Sequence, residues 1–152
     1  MKVFTIGKEI ELKAPIEKVF SSLTNTEEIP KFFPIKSVES TWKAGSEVLY
    51  MGEVNGNPFT DYGIIEKLSF PNIYQYRYWS DNHGTERTDE NHLTITYSLE
   101  KWSEGTRLSV KQSNIKSPQM YELMNAQVWD FLLDSFKKYV EARAVFLWRK
   151  SI

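Results

Sequence analysis

The chain has 152 residues, with 19 Lys+Arg against 20 Asp+Glu and a formal net charge of −1. This length suits a single domain spanning 1–152, and a near-neutral chain without a clustered basic stripe is a poor candidate for binding nucleic acid. With no Cys and only two His, the sequence excludes disulfides and thiol catalysis. It also leaves too few ligands for a zinc or iron site, so no metal or other cofactor is expected.

Aromatic residues are unusually frequent, with nine Phe, eight Tyr and five Trp making up 14% of the chain. This is more than the close packing of one small core requires. No apolar run approaches the roughly 18 residues of a membrane-spanning helix, and the N-terminal residues reach charged side chains before a signal-like apolar segment can form. The sequence therefore predicts a cytoplasmic protein without stable membrane insertion.

The first strand and the first helices are predicted from a change of period near Pro15. Before it, apolar residues alternate with polar ones as in a half-buried strand: Phe4, Ile6, Ile10 and Leu12. After it, the spacing of an amphipathic helix appears at Ile16, Val19, Phe20 and Leu23. Thr26 is predicted to cap a second, very short helix, which Pro34 ends after the exposed-looking pair Phe32-Phe33.

An antiparallel meander of about six strands is predicted between residues 37 and 114, because short apolar-polar alternations are separated by turn residues. Asn55-Gly56 is the strongest hairpin signal, since both residues tolerate positive φ. Two late strands have one apolar and one polar face, with these residues on the apolar side: Leu93, Ile95, Tyr97, Leu99, Leu108 and Val110.

A long amphipathic helix is predicted after Pro118. One side carries Tyr121, Met124, Val128, Leu132, Phe136 and Tyr139, flanked by Trp129, Leu133 and Val140. On the opposite side, Asp134 and Lys138 are spaced to form an i, i+4 ion pair. A sheet with one apolar face must cover it, and this helix offers the matching surface. The predicted fold is therefore α+β: a curved antiparallel sheet of six to seven strands wrapped around a long C-terminal helix.

Five sequence segments in order resemble the START-like helix-grip superfamily (SRPBCC), and within it the family named after the activator of the heat-shock-protein-90 ATPase. They are Ile10 to Phe20 with its Ala-Pro step, the turn Lys43-Ala44-Gly45-Ser46, the strand Gly63 to Pro71, the pair Tyr97 to Glu100 with Gly105 to Leu108, and the Trp-centred Val128 to Leu133. The chain departs from the family at two places. Phe32-Phe33 stands where a Trp-Phe pair is common, and the glycine turn has one Gly instead of two.

The resemblance implies a hydrophobic cavity between the helix and the sheet, with an opening near the start of the long helix and the loops Asn55 to Pro58 and Ser80 to Asn91. Members of the superfamily mostly bind apolar or amphipathic small molecules, and some catalyse reactions on them. A small hydrophobic or aromatic molecule is thus the expected partner, and a homodimer or a chaperone contact is an alternative.

The candidate ligand-binding residues come from the strands, the long helix and the Phe pair: Tyr50, Phe59, Tyr76, Tyr78, Tyr97, Gln112, Asn114, Tyr121, Met124, Val128, Phe32 and Phe33. The strand tyrosines are either cavity walls or ordinary sheet residues packing on the helix. Gln112 and Asn114 continue the inward register of Val110 and either orient a ligand or exit to solvent at the strand end. The helix residues are equally compatible with core packing.

Catalytic signals are nearly absent. His92 shares the solvent side of its strand and His83 lies in a polar loop, so both are assigned to the surface, and no nucleophile elbow or phosphate loop occurs. The leading hypothesis is a binding module that is not an enzyme. The enzymatic alternative is a cyclase, dehydratase or hydrolase acting on a polyketide-like substrate through Tyr76 or Tyr121.

The apolar-basic segment Val145 to Lys150 is assigned to a helix extension packed on this domain or on a dimer mate.

Overall fold

All seven strands join one sheet in the computed structural model, which describes residues 2–151, with side chains described for 2–144. The strands are β1 Phe4–Leu12, β2 Ser37–Ser40, β3 Glu47–Val54, β4 Asn57–Ser69, β5 Ile73–Ser80, β6 Leu93–Trp102 and β7 Gly105–Ile115. Their order across the sheet is β1-β7-β6-β5-β4-β3-β2, and every pairing is antiparallel. The predicted meander and the α+β helix-grip fold are both confirmed.

The hairpin between β3 and β4 has the tight turn that the sequence predicts. Asn55 and Gly56 have φ values of 52° and 83°, the left-handed conformation that a two-residue hairpin of this type requires. Val54 consequently pairs with Asn57, and the register runs back from the turn until Tyr50 lies opposite Asp61.

Two short helices come after β1: α1 Ile16–Leu23 and α2 Ile29–Phe32. The predicted cap at Thr26 is wrong. The side-chain oxygen of Asn25 accepts hydrogen bonds from the backbone N–H groups of Glu27 and Glu28 at 2.9 and 3.0 Å, the turn that an Asn side chain makes with the backbone two residues on. The Thr26 hydroxyl instead accepts from the indole of Trp42 at 2.9 Å.

The C-terminal helix is not uniform. It consists of α3 Pro118–Leu123, a π-helical turn Met124–Val128 and α4 Trp129–Ser151. The predicted stripe from Tyr121 to Tyr139 is therefore only partly correct. A π turn holds an extra residue and rotates the next part of the helix. The buried side of α4 therefore includes Phe136 from the predicted stripe and three residues that the sequence placed beside it: Trp129, Leu133 and Val140. The predicted Asp134–Lys138 ion pair is confirmed at 2.9 Å.

Close packing joins the second half of this helix to the sheet edge and the short helices. Phe136 has no exposed surface, and its ring centroid lies 4.8 Å from that of Phe32. At the turn from β6 to β7, a Cβ atom on Gly105 would lie 2.0 Å from the carbonyl oxygen of Leu12, so only glycine fits there. The hypothesis for Val145 to Lys150 concerns side chains outside the described residues.

Candidate ligand-binding site

Five buried tyrosines cover the helix-facing side of the sheet; we call them the tyrosine face. Tyr74, Tyr76 and Tyr78 alternate along β5, while Tyr50 comes from β3 and Tyr97 from β6. Neighbouring ring centroids on β5 lie 5.1 and 5.8 Å apart. The hydroxyls of Tyr50 and Tyr74 share a hydrogen bond of 2.7 Å. The pleat of the strands thus brings rings from distant sequence positions onto one surface.

Gln112 joins the tyrosine face to the helix. Its side-chain N–H donates to the Tyr78 hydroxyl at 2.9 Å, and its side-chain oxygen accepts from the Trp129 indole at 2.8 Å. The residue has no exposed surface, and a buried amide requires such partners. Gln112 therefore fixes the position of the Tyr78 hydroxyl relative to the start of α4.

Asn114 does not accompany Gln112 into the interior. Its φ is 67°, which breaks the strand alternation, and Ile115 is the next buried residue of β7. The Asn114 amide donates to the backbone carbonyls of Glu90 and His92 at 3.0 and 2.7 Å. Asn114 thus holds the loop between β5 and β6 in place.

Burial keeps the tyrosine hydroxyls protonated. It raises the pKa of Tyr76, and the neighbouring Tyr50, Tyr97, Tyr78 and Asp61 raise it further. The pKa values of the other four tyrosines are also raised, mainly by burial. At neutral pH, therefore, these groups offer hydrogen-bonding hydroxyls and aromatic faces, and none acts as a base.

Asp61 is a residue of this site that the sequence reasoning missed. It lies between Tyr50 on β3 and Ser80 on β5 in the strand register, and directly paired residues point to the same side of a sheet. Burial raises the pKa of Asp61 to about 6; the charge of Asp81 raises it further, and the adjacent Ser80 hydroxyl lowers it. The hairpin is the signal that could have found it: with Asn55-Gly56 as the turn, Val54 pairs with Asn57, and each step along the two strands away from the turn leads to the pair Tyr50 and Asp61.

The sequence assigns His83 to the surface, yet the structure places it half-buried against the tyrosine face. Its ring lies edge-on to Tyr78, with 5.5 Å between the centroids. Its Nδ1 atom is buried and has no hydrogen-bond partner among the described residues. Burial lowers the pKa of His83 although Asp81 opposes this shift. A neutral imidazole therefore stands beside Tyr78 at neutral pH. We call Asp61, Tyr78 and His83 the polar corner.

The other helix candidates surround the start of the long helix. The Tyr121 ring stacks on Phe4 at 4.8 Å, and Met124 and Val128 are half-buried in the π turn. A pocket of about 230 Å³ opens at this end of the molecule, and its lining includes His83, Leu93, Asn114, Lys116 and Met120 but no residue of the tyrosine face. This is the end where the resemblance places an opening.

The remaining Phe candidates lie elsewhere. The Phe32 ring is buried against Phe136 and Tyr139, and Phe33 packs edge-on to Phe32 at 4.7 Å. Phe59 lies across from Gly52 on β3 and rests on it, since a Cβ there would come within 2.8 Å of the Phe59 ring. The Phe32-Phe33 pair thus lies with the middle of α4, whereas Phe59 lies on the strand that carries Asp61.

A second concave surface lies far from the tyrosine face. It is a groove of about 560 Å³ at the opposite end of the sheet, where the segment 11–15 meets the turn 102–105.

Within the part of the chain that the structure describes, no three His, Asp or Glu side chains group as metal ligands. No helix among the described residues has both the length and the hydrophobicity needed to span a membrane. The cytoplasmic location stays a prediction.

Comparison with known families agrees with this architecture. The family model described as activator of Hsp90 ATPase homolog 1-like protein matches residues 13–141. The chain belongs to this family. The resemblance found in the sequence is thereby confirmed, and the AHSA1-like fold is that of the START-like superfamily. A search of curated proteins found none that matches the chain.

Solved structures share the AHSA1-like fold over nearly the whole chain. ChR145 from Cytophaga hutchinsonii superposes with a TM-score of 0.80 at 28% identity, covering 94% of this chain and 98% of that one. The Aha1 dimer from Colwellia psychrerythraea gives 0.72 at 19% identity, covering 91% and 96%. Ara h 8.0201 gives 0.71 at 18% identity, covering 93% and 99%. At these last two identities the similarity shows the fold alone.

Proposed function

We propose that this protein binds a small hydrophobic or aromatic molecule between the tyrosine face and the start of the C-terminal helix. The observation that carries the proposal is the contrast within that helix: one side is fully buried from Trp129 onward, but every residue from Tyr121 to Val128 is half-buried or exposed. Aromatic rings with a few polar groups, covered loosely at one end, are typical of small-molecule sites.

Two local features support this placement. The first part of the helix contains the π turn Met124–Val128, and π turns inside α-helices occur frequently at functional sites. Tyr50, Tyr76 and Tyr78 are buried but retain 7%, 6% and 5% of their surface, and a ligand that moves the loosely packed start of the helix would contact their rings.

Titration with the neutral dye N-phenyl-1-naphthylamine tests the proposal. Trp129 lies edge-on to Tyr97 with 6.2 Å between the ring centroids, so a bound dye should quench its emission. We expect saturable dye fluorescence together with saturable quenching of tryptophan emission. Native mass spectrometry of the purified protein should also reveal a small molecule that co-purifies with it.

Two tryptophan variants identify the site of binding. Trp42 also packs on the tyrosine face, 5.7 Å from Tyr74, so Trp129→Phe should reduce the quenching without abolishing it. Trp102→Phe should leave it intact, because Trp102 is 41% exposed at the opposite end of the sheet. The absence of saturable binding, or quenching that depends on Trp102 instead of Trp129, would contradict the proposal.

Self-association is a second candidate function. Leu123 and Phe131 on the C-terminal helix are 53% and 63% exposed, and large exposed apolar residues are typical of contact surfaces. The structure from Colwellia psychrerythraea is described as a dimer, which favours a second copy over a chaperone as the first partner to test. Sedimentation velocity should detect a dimer that the double change Leu123→Ser and Phe131→Ser converts to monomer. A wild-type protein that stays monomeric at high micromolar concentration would exclude this function.

A further inference from the structure

We infer that the ligand carries a protonated amine, and that its ammonium group lies in the polar corner between the Asp61 carboxylate and the ring of Tyr78. This inference rests on the proposed function and names the chemical class of the ligand: a small aromatic or aliphatic ammonium compound.

The strand register brings Asp61 to the ligand side. Asp61 is paired with Tyr50 on one neighbouring strand and with Ser80 on the other, and both of these residues are buried on the helix-facing side of the sheet. Gly63, two residues along β4, lies opposite Tyr78. Asp61 and Tyr78 are thus diagonal neighbours, about 7–8 Å apart at the backbone, which is within reach of their side chains.

The charge of Asp61 has no cationic counterpart in the described part of the chain. The neighbouring charge that acts on it is Asp81, of the same sign. With a pKa of about 6, Asp61 is mostly ionised at pH 7.5, and a half-buried carboxylate gains strongly from a cation that pairs with it. A ligand ammonium group supplies that cation, whereas an anionic ligand would be repelled.

The surrounding groups also suit an ammonium ion. The faces of Tyr50, Tyr76 and Tyr78 carry the negative side of the ring quadrupole, which attracts cations. The buried Nδ1 of His83 has no hydrogen-bond partner among the described residues, and an unprotonated imidazole nitrogen accepts a hydrogen bond from N–H. A carboxylate, aromatic faces and an imidazole together recognise a group with positive charge and several N–H donors.

A matched pair of probes separates the effect of the ligand's positive charge from that of its aromatic ring. 2-Phenylethylamine and 2-phenylethanol have the same ring and chain length, and they differ in bearing an ammonium or a hydroxyl group at neutral pH. By isothermal titration calorimetry at pH 7.5, we expect the amine to bind at least about tenfold more tightly than the alcohol. The neutral dye is measured alongside as the readout of the proposed function.

Substitution of one carboxylate should abolish this preference. Asp61→Asn keeps the size of the side chain and should reduce the affinity for the amine by about tenfold while leaving the alcohol unchanged. Asp89→Asn is the control, because it removes the same charge from a residue that is exposed on the outer loop and pairs with Arg77 at 3.2 Å. It should leave both affinities unchanged.

The pH dependence gives a second measurement on the unaltered protein. The titratable groups around Asp61 are Tyr50 from β3, Tyr76 and Tyr78 from β5, and Asp81 and His83 from the loop after β5. The tyrosines do not titrate in this range, and a proton gained by His83 in acid also disfavours a cation. Affinity for the amine should therefore fall as the pH is lowered from 7.5 to 5 and Asp61 becomes protonated, while affinity for the alcohol stays constant.

The outcomes separate the two proposals. An amine that binds no more tightly than the alcohol, or an Asp61→Asn protein that keeps the full preference, overturns the ammonium assignment. If the dye still binds in that case, the proposed function stands. If neither the probes nor the dye bind, both proposals fail.

Discussion

The two halves of the C-terminal helix meet the sheet in different ways. The half that begins at Trp129 is closed: Leu133, Phe136 and Val140 are buried to 3% exposure or less, and the short helices pack against it. The half from Tyr121 to Val128 contains a π turn and has no fully buried residue. The closed half has the dense packing that stabilises the fold, and the loosely packed half is where the proposed ligand would bind.

Two carboxylates illustrate the same contrast. Glu28, at the closed half, accepts hydrogen bonds from Ser22 and Tyr139 at 3.0 and 2.7 Å. Burial raises its pKa, but these hydrogen bonds and the charge of Lys18 outweigh burial, so the pKa of Glu28 lies below its ordinary value. The pKa of Asp61, on β4 between Tyr50 and Ser80, is raised instead. The folded protein thus favours the ionised form of Glu28 and disfavours that of Asp61, and a carboxylate with a raised pKa is a candidate for a functional site.

The largest effect should come from the closed half. Phe136→Ala removes a fully buried ring and leaves a cavity, which should lower the free energy of unfolding by about 3–5 kcal/mol. Urea denaturation measures the loss. Phe131→Ala on the same helix is the control: Phe131 is 63% exposed, so its replacement should change stability by less than about 0.5 kcal/mol. Equal effects would mean that the two faces of α4 do not differ as described.

The next effect concerns Gln112, which links the tyrosine face to Trp129 at the start of α4. Gln112→Leu keeps a similar volume but leaves the Trp129 indole and the Tyr78 hydroxyl without their partner, at a cost of about 1–3 kcal/mol for each buried group. Denaturant unfolding and the wavelength of tryptophan emission both report the change. Gln127→Leu, on an exposed position of the π turn, should have little effect. An unchanged unfolding midpoint in Gln112→Leu would show that the hydrogen bonds of Gln112 to Tyr78 and Trp129 do not stabilise the fold.

A smaller, pH-dependent loss is expected at Glu28. Because its folded pKa lies below the unfolded value, its contribution is present above the unfolded pKa and is lost as the pH falls through the folded pKa. Glu28→Gln should therefore destabilise the protein at pH 7 by about 1 kcal/mol, and the difference from wild type should disappear in acid. Thermal unfolding from pH 7 to 3 checks this sign. A difference that grows in acid would contradict it.

Asp61→Asn should act in the opposite direction and by the smallest amount. The folded pKa of Asp61 is raised to about 6, so its ionisation opposes folding above that pH, and the penalty is relieved as the pH falls toward the unfolded pKa. Because Asp61 is partly exposed and solvent screens part of the effect, the amide should stabilise the protein at pH 7 by only about 1 kcal/mol or less, with no gain near pH 4. The same pH series of unfolding curves measures it. A destabilised variant at pH 7 would show that Asp61 serves the fold instead of a ligand.

Much of the architecture could be predicted because its signals are local. The change of period at Pro15, the Asn55-Gly56 turn and the alternating tyrosines of β5 each depend on neighbouring residues, and all three features appear in the structure. The candidate site was predicted less completely. The sequence left open whether Gln112 and Asn114 point inward or to solvent: Gln112 is buried, whereas Asn114 leaves the interior because its positive φ breaks the alternation, and Phe32 packs with α4.

The sequence by itself determined the fold class, the strand and helix order and the side of the sheet on which the tyrosines lie, because periodicity specifies faces without knowledge of distant contacts. Only the tertiary structure decided how those faces are used. The π turn changes which helix residues are buried, and the environment of Asp61 is created by Tyr50, Ser80 and Asp81 from other segments of the chain. Burial and charge are properties of the assembled neighbours, and a pattern along one segment does not contain them.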